Sequence, residues 1–405
     1  MKRAVVFADL LPEPNSTAAG TRMVQLLELL QGLDFELHFL STSSPGPNSL
    51  NLDYMEIKLH LIEINDSKVE PLLKTIDPDL VLFDRFHLEE KFGWRVHSCI
   101  PRALTLLDTE DLHFLRKARE ESYKKGIELS ESELQNDIFL REIASILRSD
   151  LTLIISEAEY KLLTEQFKIA PSLLLYLPLF AEANDTVAKF EERTDFLSIG
   201  NFLHAPNLET VKILKELWPK IRKVNPKTFL HVYGAYPTPS ALGLNNEKQG
   251  FLVHGRAENL KEIFSKSRLL LAPIPFGAGI KGKLLDALRF GLPSITSPIG
   301  SEGMHQEGKW NGAIVSSPEQ FIEKTTLLYN NKESWDEAQK TGFHLLKEKF
   351  NKKSFQPLFA KRIISLLSQK DSHRNQNYLR RLLFHHQFNS SKYLSRWIEE
   401  KNRKN

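Results

Sequence analysis

The stretch LLLAPIPFGAGIKGKLLDALRFG, residues 269–291, passes from an apolar run through two prolines and three glycines into a helical pattern. Residues 269–272 read as a buried strand that Pro273 and Pro275 end. Residues 284–290 read as a helix, with Gly291 placed to terminate it and Pro293 beyond. A glycine-rich turn at a helix start presents backbone N–H groups and the positive end of the helix dipole. Lys281 and Lys283 add two full charges there, so a diphosphate is the natural partner of this turn. Two other readings use the same residues. Gly277, Gly279 and Gly282 fit G-x-G-x-x-G, and Glu302 lies near the place where a dinucleotide site carries its ribose acid. That fingerprint belongs in the first βα unit of its domain, however, and several strands precede it here. The turn can also be a plain one with solvated lysines, Lys283 pairing with Asp286 three residues on.

Outward from this unit the same alternation recurs in both directions. Residues 196–199, 229–233, 251–253 and 294–297 read as strands, with a helix over 208–224. A linker rich in Ala, Asn and Asp, near 181–194, separates them from an earlier series. In that series 3–8, 35–40, 80–83, 103–107, 151–155 and 173–177 read as strands. A helix over 23–30 shows Leu26, Leu27 and Leu30 on one face and Gly32 just past its end. Ser156 and Glu159 have the spacing of a capping box. Residues 110–148 are polar and helical, an elaboration on the first half. Two successive βα series predict an α/β protein with two Rossmann-like, doubly wound parallel sheets, which bind ligands at the carboxyl ends of their strands. The expected domains are 1–184 and 195–345, with a helix over 346–369 and a tail over 370–405.

Size and composition agree. The chain has 405 residues, enough for two domains. Its 41% hydrophobic and 26% charged content are those of an ordinary globular protein. Cys99 is the single cysteine, which excludes an internal disulfide and a thiolate zinc site and fits a reducing compartment. Residues 1–8 read as a strand rather than a signal peptide, because Asp9 ends the apolar run. No apolar run approaches the roughly 20 residues of a membrane span. A cytoplasmic location is expected, with peripheral contact at the inner face of the membrane. The net charge of +3 divides unevenly: residues 370–405 carry +6 and the remainder −3. That pattern points to an interaction segment and not to a nucleic-acid-binding body.

The residues 277–303, GAGIKGKLLDALRFGLPSITSPIGSEG, resemble the donor-binding region of GT-B-fold glycosyltransferases, and more narrowly those of group 1, family-4-like. Residues 197–207, LSIGNFLHAPN, resemble the strand-to-loop start of the family's C-terminal domain, and residues 108–116, DTEDLHFLR, agree as well. The resemblance covers about residues 1–365 and is most specific from Gly200 to Gly303. It implies two domains facing a cleft, with C-terminal helices that cross back to the first domain. It implies a nucleoside-diphosphate sugar as donor, a glycan or lipid-linked hydroxyl as acceptor, a retaining course, and neither a cofactor nor a bound metal.

Carried over by position, Gly279, Ile280, Lys281 and Lys283 contact the donor diphosphate, and Asp286, where glutamate is commoner, holds the ribose. Gly200 and Asn201 stand in the loop that opens the donor domain. A second acid found in many relatives is here Ala278. The loop after the first strand opens a helix, and Gly20, Thr21 and Arg22 are its candidates for the donor anion. Asp108, Glu110, Asp111 and His113 follow a strand end. A carboxylate-and-imidazole cluster there can do acid–base work, and Asp111 and His113 are the catalytic candidates together with Lys281. An alternative for this cluster is a helix N-terminus with favourable acids. His254 and Arg256 follow another strand, His254 as a structural residue. Domain closure would exclude water and prevent donor hydrolysis.

Residues 378–397 mix Arg380, Arg381, Lys392 and Arg396 with Leu379, Leu382, Leu383, Phe384, Phe388, Tyr393, Leu394 and Trp397. A basic helix with aromatic anchors suits an anionic membrane face; packing on the body is the other reading. Two further functions stay open: a catalytically inactive GT-B module that binds a sugar nucleotide or a partner, to which Ala278 points, and an NAD(P)-dependent oxidoreductase.

Overall fold

Apolar runs of Val, Leu, Ile and Phe bounded by turns become parallel strands, the inner ones largely buried, covered by helices on both faces. In the computed structural model, which describes residues 2–306, 308–386 and 388–403, these strands form two sheets. The first unit comprises Met1–Phe114, Ser130–Leu177 and Lys353–Asn405, and the second Leu115–Leu129 and Pro178–Lys352.

The first unit's sheet contains β1 (Lys2–Ala8), β2 (Phe35–Ser41), β3 (Lys58–Leu61), β4 (Leu80–Asp84), β5 (Leu104–Asp108), β6 (Leu151–Ile154) and β7 (Leu174–Tyr176). All pairs are parallel and the order is β3-β2-β1-β4-β5-β6-β7. Val5, Val6 and Phe7 of β1 are wholly buried, each worth roughly 1.5–3 kcal/mol of apolar burial. The edge strand β3 is absent from the sequence reading. Its KLHL segment is half exposed and lacks the apolar run that marks the inner strands. The helix expected over 23–30 is Ala18–Gln31. Its start is set by Thr17, whose side chain accepts the Gly20 N–H, and not by the apolar face. The capping box at Ser156 and Glu159 does not form: Ser156 is the N-cap without a side-chain bond, and Glu159 accepts the Leu112 N–H at 3.1 Å.

The second unit's sheet contains β8 (Thr194–Ile199), β9 (Leu230–Tyr233), β10 (Phe251–Val253), β11 (Ser267–Ala272), β12 (Ser294–Thr296) and β13 (Gly312–Ile314). It is also parallel, in the order β10-β9-β8-β11-β12-β13. Helices Ala205–Val224 and Pro318–Asn330 cover one side, with Trp218 and Trp335 fully buried.

Among the described residues, no helix is long and apolar enough to cross a membrane. The tail forms helices Tyr378–His386 and Phe388–Arg403 within the first unit; Gln387 and the Phe388 side chain lie outside the described residues. Much of its basic charge is spent on acids of the same unit. Arg374 makes a two-pronged pair with the wholly buried Asp150, and Arg380 lies 3.5 Å from the same carboxylate. Arg396 pairs with Glu70 at 2.8 Å, and Arg95 pairs with both Glu70 and Glu399. Phe384 stacks on His97 with centroids 3.9 Å apart. Tyr378, Leu382, Tyr393, Leu394 and Trp397 remain exposed.

Candidate functional site

In the second unit the strand order reverses between β8 and β11, which lie side by side. This switch point is where a crevice opens at the carboxyl ends of a doubly wound sheet. Several hydrogen bonds fasten the loop leaving β8. Gly200 N–H donates to the Tyr233 carbonyl (3.1 Å), Leu203 N–H to Asn201 Oδ1 (2.9 Å), and the Asn207 amide to the Asn201 carbonyl (2.8 Å). The loop leaving β11 turns at Gly277 (φ +151°) and Gly279 (φ +65°), conformations that favour glycine. Ile280 is buried, and Lys281 Nζ donates back to the Gly279 carbonyl at 2.8 Å.

Helix Gly282–Arg289 begins there with Lys281 as its N-cap, a residue that offers no side-chain acceptor. Thr17, Asn259 and Ser317 supply that acceptor at other helix starts. The first-turn N–H groups of this helix therefore lack a side-chain cap and suit an anion. Lys283 Nζ donates to Asn207 Oδ1 at 2.8 Å and joins the first turns of helices Gly282–Arg289 and Ala205–Val224, which follow the two loops. A Cβ on Gly200 would lie 2.8 Å from that nitrogen and 2.7 Å from Asn207 Cγ, so glycine is required for this contact. Burial pushes the Lys283 ammonium down to about 7. Burial also pushes Asp286 up to about 6, against the opposing pull of Arg289. Asp286 lies 3.9 Å from Arg289 and does not take the Lys283 pairing open to it by spacing. A half-buried lysine and a half-buried carboxyl on one helix turn, both moved towards neutrality, are a combination found at binding and catalytic sites.

The dinucleotide reading finds no support in this geometry. The glycines follow the fourth strand of the unit in chain order, and Glu302 lies beyond β12, where Arg119 binds it at 2.7 Å through both oxygens.

In the first unit the reversal falls between β1 and β4. Carboxylates gather at these strand ends: Asp9 after β1, Asp84 and Asp108 as the last residues of β4 and β5, then Glu110 and Asp111. Asp9 Oδ2 lies 2.7 Å from His87 Nε2, and Lys91 donates to Asp9 Oδ1 at 3.1 Å. The His87 hydrogen bond holds the Asp9 carboxyl well below the usual range. Burial pushes Glu110 up to about 8, with Arg85 opposing and Asp84 adding repulsion. Burial likewise raises Asp84, against the opposing charge of Arg85. Arg85 (φ +71°) and Glu110 (φ +63°) both hold backbone conformations that side-chain-bearing residues avoid. One oxygen of Asp84 and one of Glu110 are buried without a hydrogen-bond partner. Strain and unsatisfied polar atoms concentrated at strand ends are features of functional sites.

His113 opens helix His113–Lys125. Its Nδ1 lies 3.1 Å from the Asp111 carbonyl and 3.3 Å from Glu142 Oε1, and the Phe86 and His87 rings stand edge-on to it. Asp111 and His113 thus stand in one cluster with His87, next to Asp9; sequence reasoning missed His87 and Asp9. Asp84-Arg85-Phe86-His87 follows an apolar run just as Asp108-Thr109-Glu110-Asp111 does, a signal that was available. Asn207 and Arg119 were missed as well, Arg119 because its partners lie 158 and 183 residues away.

Gly20, Thr21 and Arg22 are placed differently from the expectation. Gly20 N–H is taken by Thr17, and Thr21 Oγ1 donates to the Pro14 carbonyl at 3.0 Å. A Cβ at Gly20 would overlap the Glu13 backbone. Arg22 is wholly buried and pairs with the equally buried Asp108 at 3.0 Å. The donors expected to meet an anion are used to fasten the turn and the helix. His254 stacks between His231 and Tyr233, a packing role.

Residues 193–331, the core of the second unit, match the family described as glycosyl transferases group 1. No curated protein matches the sequence. Among solved structures, sucrose-phosphate synthase from Thermosynechococcus elongatus superposes with a TM-score of 0.70 at 12% identity, over 91% of this chain and 100% of that one. TarM, from S. aureus, superposes with a TM-score of 0.69 at 9% identity, over 89% and 98%. Anabaena HepE, solved with UDP and glucose, superposes with a TM-score of 0.68 at 11% identity, over 89% and 99%. The fold is GT-B, and the resemblance drawn from 277–303 to the group 1 transferases is borne out.

Proposed function

We propose that this chain, with the group 1 glycosyl transferase sequence across its second unit and the GT-B fold throughout, is a glycosyltransferase that takes its sugar from a nucleoside-diphosphate donor. The observation that carries the reading is the pairing of two glycine-bearing loops at the β8–β11 switch point, joined by Lys283 and Asn207 beside an uncapped helix start. Departure of the diphosphate builds negative charge. Lys281, Lys283 and the first-turn N–H groups stand where that charge is stabilised in the transition state. Asp286 is assigned to the ribose, with Gly200, Asn201, Gly279 and Ile280 lining the same loops. The acceptor, a glycan or lipid-linked hydroxyl, is assigned to the first unit. His113 with Asp111, and His87 with Asp9, are groups there able to receive its proton. Retention of anomeric configuration is the course proposed from the family resemblance.

A screen of UDP, GDP, ADP and their sugars by thermal shift tests the donor reading. One nucleoside diphosphate is expected to stabilise the protein, and Lys281→Ala to abolish the shift. An unchanged shift in that variant removes the loop from the site. Ala278 favours a second reading, a binding module without turnover; tight nucleotide binding with neither transfer nor donor hydrolysis would select it. Peripheral contact with an anionic membrane is proposed for the outward face of the tail, where Tyr393, Leu394 and Trp397 are exposed beside Lys401, which lies 5.4 Å from the Trp397 ring. Trp397→Ala is expected to weaken flotation with phosphatidylserine vesicles; flotation equal to the parent protein would refute the contact.

A further inference from the structure

Helix His113–Lys125 comes from the first half of the sequence, yet from Leu115 onward it belongs to the second unit. One face of it grips the glycine loop. Arg119 Nη1 donates to the Gly277 carbonyl at 2.8 Å, and the same guanidinium holds Glu302 at 2.7 Å on each oxygen. Four residues on, Tyr123 lays its ring against Phe276 with centroids 5.2 Å apart. Its hydroxyl donates to Glu209, on the helix that follows β8, at 3.4 Å. The helix therefore touches two consecutive residues of the β11 loop and the element that leads from the β8 loop.

We propose that Arg119 is a positioning residue for the donor's diphosphate, acting by fixing the Gly277 carbonyl and by neutralising Glu302. The proposal rests on the donor-site reading above. Gly277 has no side chain to anchor it and sits at φ +151°, so its own conformational preferences do not hold the loop in one shape. A planar guanidinium bound on both prongs is a rigid restraint, and it fixes the carbonyl that starts the turn towards the uncapped helix. Glu302 needs the same partner. Burial raises its carboxyl, but the Arg119 hydrogen bonds outweigh this and hold it below the ordinary value, so it stays charged. Without Arg119, burial would push that carboxyl up, and Lys281, whose charge also holds it down, would be drawn to it and away from a phosphate.

Calorimetric titration of the full chain tests this with UDP, GDP and ADP and with the matching monophosphates. Arg119→Ala is expected to weaken the diphosphate by about tenfold or more, the scale of a lost charge-assisted bond, and to leave the monophosphate unchanged. A general structural role would weaken both alike, and that outcome overturns the proposal. So does a correctly folded R119A that binds the diphosphate as tightly as the parent. If R119A does not fold, Arg119→Lys carries the test. Its single ammonium cannot span Gly277 and both Glu302 oxygens, so a smaller loss confined to the diphosphate is expected, and no loss overturns the proposal. If the parent protein binds none of these nucleotides, the donor-site reading itself has failed, and this proposal falls with it.

Discussion

Lys283 is the residue on which the proposed donor site turns, because its half-buried ammonium donates to a neutral partner, Asn207. Its ammonium loses its proton at about pH 7 in the unliganded protein. An anion beside it favours the charged form. Nucleoside-diphosphate affinity is therefore expected to fall as pH rises through about 7, with proton uptake on binding that calorimetry in two buffers of different ionisation enthalpy will show. Lys283→Gln should remove that dependence, and a parent profile flat across the range would refute it. The same shift bears on stability. The folded value lies below the ordinary lysine range, so between the two the unfolded chain holds more protons, and this group's contribution to stability grows as pH rises through that window. Lys281, Lys283 and Asp286 could be named as candidates from the sequence because their spacing on one loop and one helix turn is local. Arg119 was not, and Asn207, although it ends the stretch 197–207, was not singled out, since nothing local marks which distant side chain a strand order will bring beside another.

The helix Ala18–Gln31 shows the same division one scale up. The sequence marks a turn and a helix start, and a turn at a strand end reads as an anion site. The structure uses those donors internally. Arg22 on the first turns of this helix and Asp108 at the end of β5 neutralise each other with no exposure on either side. Arg22→Ala is accordingly expected to cost stability, about 3–5 kcal/mol for a buried carboxylate left unpaired, and not donor affinity. Urea unfolding measures the first and nucleotide titration the second; a selective loss of affinity would return Arg22 to the binding site. Helix Gly282–Arg289 behaves in the opposite way, with no side chain capping its start. The two helices differ in what precedes them: Thr17 is a capping residue and Lys281 is not.

Across the whole molecule, the tail's charge asymmetry was legible and its use was not. Arg374 and Arg380 converge on Asp150, and Arg396 on Glu70, so the basic segment balances acids of the slightly acidic body within the first unit. Removing residues 370–405 leaves Asp150 without either arginine. That truncation is expected to destabilise the first unit by roughly 3–5 kcal/mol, the cost of a broken buried pair, and so to lower its unfolding midpoint. A truncated chain with the parent's melting profile would show the tail to be dispensable for stability. The sequence by itself determined the fold class, the two βα series and the glycine-lysine loop, because strand burial, helix periodicity and turn chemistry are written over a few neighbouring residues. Only the tertiary structure decided the strand order that sets β8 beside β11, and with it which loop meets which. It also decided that Arg119 serves the loop, that Arg22 serves the core, and that Asp9 stands against His87. These are encounters between side chains tens to hundreds of residues apart, and no local pattern encodes them.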